Sequence, residues 1–215
     1  MKPSINKWMF AIFCFCAIPL YAQDTVTIPV YPTKDYVACF SAWDTILNTL
    51  QTRFTQQTQY DGITISQSTG RIIYIKKGHK LRLDNLEDTR ITQTALTDKK
   101  QIYILDEKGK EISKISWQEW LKNQPNQALF DFGNYTALLR KHKVFVTQNT
   151  PEQVVLRLEP KDSQKNPYIL FVTLQADTCF PQEISIEADL MTTTAKLENT
   201  QLNDPIEPDT FKRLK

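Results

Sequence analysis

The feature that most constrains this chain is a succession of short runs in which apolar and polar residues alternate, beginning near Phe54 and continuing almost to the C-terminus. Lys80-Leu-Arg-Leu-Asp84 is the strictest, and Gln101-Ile-Tyr-Ile-Leu105 and residues 153–158 follow the same rule. Successive side chains on a strand point to opposite faces, so a period of two marks a strand with one buried face. Further strand-like runs cover 54–58, 63–66, 71–76 behind Gly70, 89–96, 110–115, 144–147, 168–174, 182–187 and 191–202. Turn residues separate them at short intervals, as in Lys77-Gly-His79, Thr97-Asp-Lys-Lys100 and Asp106-Glu-Lys-Gly109, whose glycine suits a positive φ.

Helical spacing interrupts this rhythm in three places. Residues 23–33 read as an extended, proline-containing lead-in, and 35–52 then change period. Val37, Phe40, Trp43, Ile46, Leu47 and Leu50 recur at three- and four-residue steps, the stripe of an amphipathic helix. In the middle of the chain, 117–122 carries Trp117, Trp120 and Leu121 before Pro125 ends it, and 134–141 carries Leu138 and Leu139. About eleven strands imply one large antiparallel sheet, and a sheet of that size curls. The fold class expected is therefore α+β, a single curled antiparallel sheet with helices covering its concave face.

Charge and cysteine usage narrow the setting. Lys2 and Lys7 precede an uncharged apolar run of 13 residues, and Ala22 offers a cleavage point before Gln23. That run is short of the roughly 20 residues a membrane-spanning helix needs, so 1–22 reads as a secretory signal peptide. Neither Cys14 nor Cys16 follows the pattern that precedes a lipidated cysteine, and a soluble periplasmic protein is expected. Removing two lysines leaves 24 basic against 24 acidic residues. A chain without basic excess is not expected to bind nucleic acid. The remaining length suits one domain. Cys39 and Cys179 survive in an oxidising compartment, where they either pair or stay separately buried; spacing does not choose between these.

A search for catalytic chemistry finds little. His79 and His142 sit beside lysines and read as solvated, without cysteine or carboxylate partners at metal-ligand spacing. No Gly-x-Ser-x-Gly elbow or phosphate-cradling loop occurs, and the chain has five glycines in all. The expectation is a non-enzyme with no cofactor and no metal. What remains is apolar: Leu81/Leu83, Ile102/Ile104, Val144/Val146, Leu156/Leu158 and Leu170/Val172/Leu174. A filled core and a cleft wide enough for acyl chains produce the same alternation.

The order of short motifs separates them. Ile46-Leu-Asn-Thr-Leu50 running into Phe54-Thr-Gln56 is followed by Gly70-Arg-Ile-Ile-Tyr-Ile-Lys-Lys77, Leu81-Arg-Leu83 and Thr97-Asp-Lys-Lys-Gln-Ile-Tyr-Ile-Leu105. Thr136-Ala-Leu-Leu139, Val154-Val-Leu-Arg-Leu-Glu-Pro160, Leu197-Glu-Asn-Thr-Gln-Leu-Asn203 and Asp209-Thr-Phe211 complete the series. In this order they resemble the periplasmic outer-membrane lipoprotein carrier family, LolA, over nearly all of 38–211.

The resemblance implies an unclosed β-barrel of about eleven strands with helices as a lid, and makes 23–215 one lipoprotein-carrier-like domain. Its implied partners are acylated lipoproteins, an inner-membrane lipoprotein-releasing ABC transporter and an outer-membrane lipoprotein acceptor, with the carrier a monomer. The implied cavity and lid residues are Phe54, Ile73, Leu81, Leu83, Ile102, Ile104, Leu138, Leu139, Leu156, Leu158, Leu170 and Val172. Departures are local. Lys77 stands where the family places a lid-closing arginine, and Lys lacks the planar fork of Arg. Leu81 and Leu83 replace an aromatic pair, and no Pro-x-Gly tail follows Phe211. Two other functions remain open on the same pattern: an acyl-binding sensor, and a structural module with a solid core.

Overall fold

The computed structural model describes residues 33–122, 132–162 and 168–214. The expected signal peptide, the lead-in up to residue 32 and Pro125 lie outside them. Helix α1 spans Thr33–Ile46 and is followed by six strands: β1 Thr49–Tyr60, β2 Ile63–Ile75, β3 Lys80–Glu87, β4 Arg90–Thr97, β5 Gln101–Asp106 and β6 Glu111–Ser116. Helices α2 Trp117–Lys122 and α3 Tyr135–Lys141 come next. Strands β7 His142–Asn149, β8 Gln153–Pro160, β9 Ile169–Gln175, β10 Pro181–Ala188 and β11 Met191–Leu202 precede a C-terminal 3₁₀ helix, Pro208–Leu214.

All eleven strands join one antiparallel sheet in the order β6-β5-β4-β3-β2-β1-β11-β10-β9-β8-β7. Each half is a meander of hairpins, and the halves meet where β1 pairs with β11, from Leu50 opposite Leu202 to Tyr60 opposite Met191. The ends of the order, β6 and β7, pair on one side only, so the barrel does not close. The expected α+β sheet with helices is the architecture found.

Two differences from the expected elements bear on the site. The helical stripe through residue 52 stops at Ile46, because Leu50 already lies in the ladder opposite Tyr74 and Leu202. Leu47 and Leu50 are both fully buried, one at the end of the helix and one from the strand, so the apolar spacing ran on past the change of backbone. Asn203 fixes that change: its side chain accepts from Asn48 N at 2.7 Å and donates to Ile46 O at 3.2 Å. The runs 63–66 and 71–76 are one strand, β2, passing through Gly70. Gly70 is opposite Phe54, and a Cβ there would collide with the Phe54 ring and the Asp84 carbonyl. The ring and the glycine's backbone thus meet in a close approach that only glycine permits.

The sheet is apolar on both faces, unequally. On the inner face Ile72 and Tyr74 join Leu81, Ile102, Leu156, Leu158, Leu170 and Val172 in one large core with α1, α2 and α3. On the outer face Ile73, Leu96 and Leu105 form a smaller core under Phe211 of the 3₁₀ helix. Beside it Asp84, with no exposed surface, pairs with Arg71 at 2.7 Å and Arg82 at 2.8 Å and accepts from the Thr94 hydroxyl at 2.7 Å. Arg82 also donates to Thr210 O, which ties the 3₁₀ helix down.

Candidate functional site: an apolar inner face under two helices

The site begins with strand alternation. Leu81 and Leu83 face the same side as Ile72 and Tyr74, their register partners being Tyr74↔Leu81 and Ile72↔Leu83. The row continues across β4 into Ile102 and Ile104. In the other half Leu156 opposes Val172, and Leu158 opposes Leu170. Phe54, Leu81, Leu83, Ile102, Ile104, Leu138, Leu139, Leu156, Leu158, Leu170 and Val172 thus share one apolar assembly. Ile73 does not. It belongs to the outer core under Phe211, because the run Ile72-Ile-Tyr-Ile75 is apolar at every position and alternation turns its odd members outward.

Helix α1 is held firmly. A disulfide joins Cys39 to Cys179 at a Cα separation of 5.8 Å, so the two cysteines pair. One turn on, Trp43 Nε1 donates to Thr178 O at 2.9 Å, and its ring meets Phe180 edge-on at 5.0 Å. Both anchors lie in the segment between β9 and β10, so α1 is stapled to one end of that pair of strands.

Helix α3 is held differently. Its first amides, Tyr135 N and Thr136 N, donate to the two Asp44 carboxylate oxygens at 2.6 and 2.8 Å. A carboxylate at a helix N-terminus satisfies orphan amides and complements the helix dipole. The Tyr135 ring packs on Phe40 at 4.5 Å. Leu139 is buried and Leu138 is half-buried against the same core. The sequence reading did not single out Phe132, Tyr135 or Phe180 as core residues: Phe132 and Phe180 sit outside any periodic run, and Tyr135 shares helical spacing with Leu138 and Leu139 in a run too short to define a stripe.

His142 corrects an expectation. Flanked by Lys141 and Lys143, it reads as solvated, yet it is 4 % exposed. A carbonyl only accepts, so Nδ1–H donates to Leu138 O at 2.7 Å and, in the neutral ring, Nε2 accepts from the Tyr168 hydroxyl at 3.0 Å. Burial pushes the imidazole below its ordinary value, as do Lys141 and Lys161, against the opposing Leu138 carbonyl. Burial likewise raises the Tyr168 phenol. The ring, at the start of β7, therefore ties the C-terminus of α3 to Tyr168, the residue before β9. His79 is exposed, as expected.

Lys77 is exposed in the β2–β3 turn. Its neighbour Lys76 makes the contact with the helical cover, Nζ donating to Thr45 O at 3.1 Å. A basic side chain at the end of α1 complements the helix C-terminus, so in this turn the contact with α1 is made one position before Lys77.

Chemically, this is an apolar surface bordered by a few satisfied polar groups. Among the described residues no three His, Cys, Asp or Glu side chains converge as a metal site, and no helix is long and apolar enough to cross a membrane.

Known proteins extend the picture. The family model described as outer membrane lipoprotein carrier protein LolA matches residues 45–214. No curated protein matches the sequence. Among solved structures, MucB is 16 % identical with a TM-score of 0.51, covering 83 % of this chain and 61 % of its own. A conserved protein of Thermus thermophilus is 9 % identical with a TM-score of 0.50, covering 85 % and 94 %. The Mycobacterium tuberculosis lipoprotein LppX is 12 % identical with a TM-score of 0.49, covering 82 % and 99 %. The chain thus spans about three-fifths of the length of MucB. An open eleven-stranded sheet with helices on its inner face and a family model matched along four-fifths of the sequence place the chain: it belongs to the LolA outer membrane lipoprotein carrier family.

Proposed function

We propose that this chain is a periplasmic carrier that holds the acyl chains of lipid-modified proteins against its inner, concave face. The observation that carries this reading is the inner face itself. Apolar side chains from both halves of the sheet converge there, and the element over β7, helix α3, is only seven residues long and pinned at its ends. Membership in a family of lipoprotein carriers supports the same reading. Leu138 and Leu139 occupy positions that acyl chains would take when α3 lifts.

The energetics suit transport across water. Burying an acyl chain contributes about 0.8 kcal/mol per CH₂, enough to keep a lipoprotein in solution during transit. Loading falls to an inner-membrane ABC transporter, and unloading to an outer-membrane acceptor that binds the chains more favourably. No covalent bond is made or broken by the carrier. No cofactor or metal takes part.

The test uses the purified mature chain. It should shift the emission of an environment-sensitive apolar dye and release lipoprotein from inner-membrane vesicles supplied with ATP. Leu139→Glu should abolish release while its circular dichroism stays native. No dye response together with unchanged release by the variant would sink the carrier reading and leave a solid-cored module.

A further inference from the structure

Five of the eight large apolar side chains exposed among the described residues cluster at one corner of the sheet. Tyr60 (50 % exposed), Ile63 (69 %) and Ile65 (59 %) flank the β1–β2 turn, and Leu190 (54 %) and Met191 (44 %) the β10–β11 turn. The two turns are tied: Asp61 N donates to Leu190 O at 2.8 Å, and Tyr60 is the register partner of both Ile63 and Met191. Register partners point to one face, so these three form a continuous apolar row. On the β2 side no strand among the described residues pairs beyond it, because residues 63–68 run past the last pairing of β2 with β3, at Thr69 opposite Leu86.

Within these two hairpins the charge is one-sided. Segments 57–68 and 187–194 carry three charged side chains, all acidic and all exposed: Asp61 and Asp189 lie in the two turns beside the row, and Glu187, opposite Thr192, lies on the other face of β10. The rest of their polar surface is Gln, Thr and Ser. An exposed apolar cluster on a preformed scaffold marks an interaction site, and an acidic rim selects a partner of opposite potential. We propose that this corner docks a protein whose contact surface is an apolar patch rimmed by lysine and arginine. A second copy of the chain is disfavoured because two acidic rims repel. Bilayer insertion is disfavoured because it would strip water from the two turn carboxylates, which form no ion pair among the described residues. Tyr and Met are also side chains favoured at the centre of protein interfaces.

The row lies on the same face of β1 and β11 as Phe54 and Leu197, which are register partners on the inner wall. A partner seated there would meet the end of the apolar face. The docking inference does not need acyl binding, and the two fail separately.

The experiment places a photoreactive phenylalanine analogue at position 63 or 191 of the full chain in intact cells, with position 145, an exposed site on β7, as control. Both corner positions should crosslink to one and the same envelope protein, through a peptide in which apolar residues are flanked by Lys or Arg. Position 145 should not. The charge-neutral set Asp61→Asn and Asp189→Asn, chosen because Asn tolerates the positive φ of residues 61 and 189, should lower the adduct at least five-fold with native circular dichroism. If that set perturbs folding, raising ionic strength around the unaltered rim should produce the same fall. An adduct to phospholipid or to a second copy, an adduct indifferent to charge and salt, or no adduct would each overturn the proposal. Dye binding measured on the same variants reports on the carrier reading alone.

Discussion

His142 shows how a single residue can join a lid to its frame. Its ring stands between the last turn of α3 and Tyr168, and burial holds its pKa below the ordinary value of 6.5. The unfolded chain therefore takes up a proton more readily than the folded one. Stability contributed by this site is complete above the ordinary histidine pKa and is lost as pH falls through and below it. Urea unfolding midpoints should decline between pH 7.5 and 5.5, and His142→Gln should flatten that decline. Equal slopes for the two proteins would remove His142 from the account. Gly70 acts at the same scale by absence, since its missing side chain is what lets Phe54 lie across β2.

Among elements, the two covering helices differ in how they are bound. Cys39 and Cys179 are 140 residues apart, and a crosslink closing so long a loop stabilises mainly by restricting the unfolded chain. Reduction should lower stability by about 2–5 kcal/mol, read as a reduced urea midpoint, with a Cys39→Ser, Cys179→Ser variant indifferent to reductant. Helix α3 has no covalent tie among the described residues, and depends on Asp44 at its start and His142 at its end. Asp44→Ala should cost about 0.5–2 kcal/mol, the usual range for a lost N-terminal cap. The same change should speed amide exchange across 135–141 and leave α1 slow. Exchange accelerated equally in both helices would mean that they open together.

At the scale of the whole molecule, the sheet has a stiff middle and two free margins. β1, β2 and β11 are the longest strands, and β1 pairs with both others along nearly its whole length. β6 ends one side of the order, its residues largely exposed, and β7 ends the other. The sheet can therefore widen at its margins without breaking ladder bonds in the centre. Amide exchange should be slowest in β1, β2 and β11 and fastest at β6. Acyl-chain binding should alter protection at α3 and β7 before it reaches β1, and a uniform change would contradict a site that opens at its edge.

Much of this was legible in the residues. Alternation, with the short apolar run in β2, located the strands, since a half-buried strand must repeat at two; Met191–Leu202 matches its expected limits at both ends. The helical stripe found α1 but overran it, because Leu50 satisfies helix and strand spacing equally and only pairing with β2 and β11 decides. Eleven of the twelve expected cavity and lid residues share the inner assembly. Ile73 does not, since a continuous apolar run leaves open which member faces which side until the ladder sets the register. His142 reads as solvated because its neighbours in sequence are lysines, while its neighbours in space are a carbonyl and a phenol; likewise Lys77 is the turn cation the sequence singles out, while Lys76 is the one that reaches a helix end. Period, turn chemistry and composition are local properties, so the sequence by itself determined the strand succession, the α+β class and an apolar face on the alternating strands. Which cysteines meet, how each helix is fastened and where apolar surface stays uncovered depend on contacts between distant segments, and only the tertiary structure decided those.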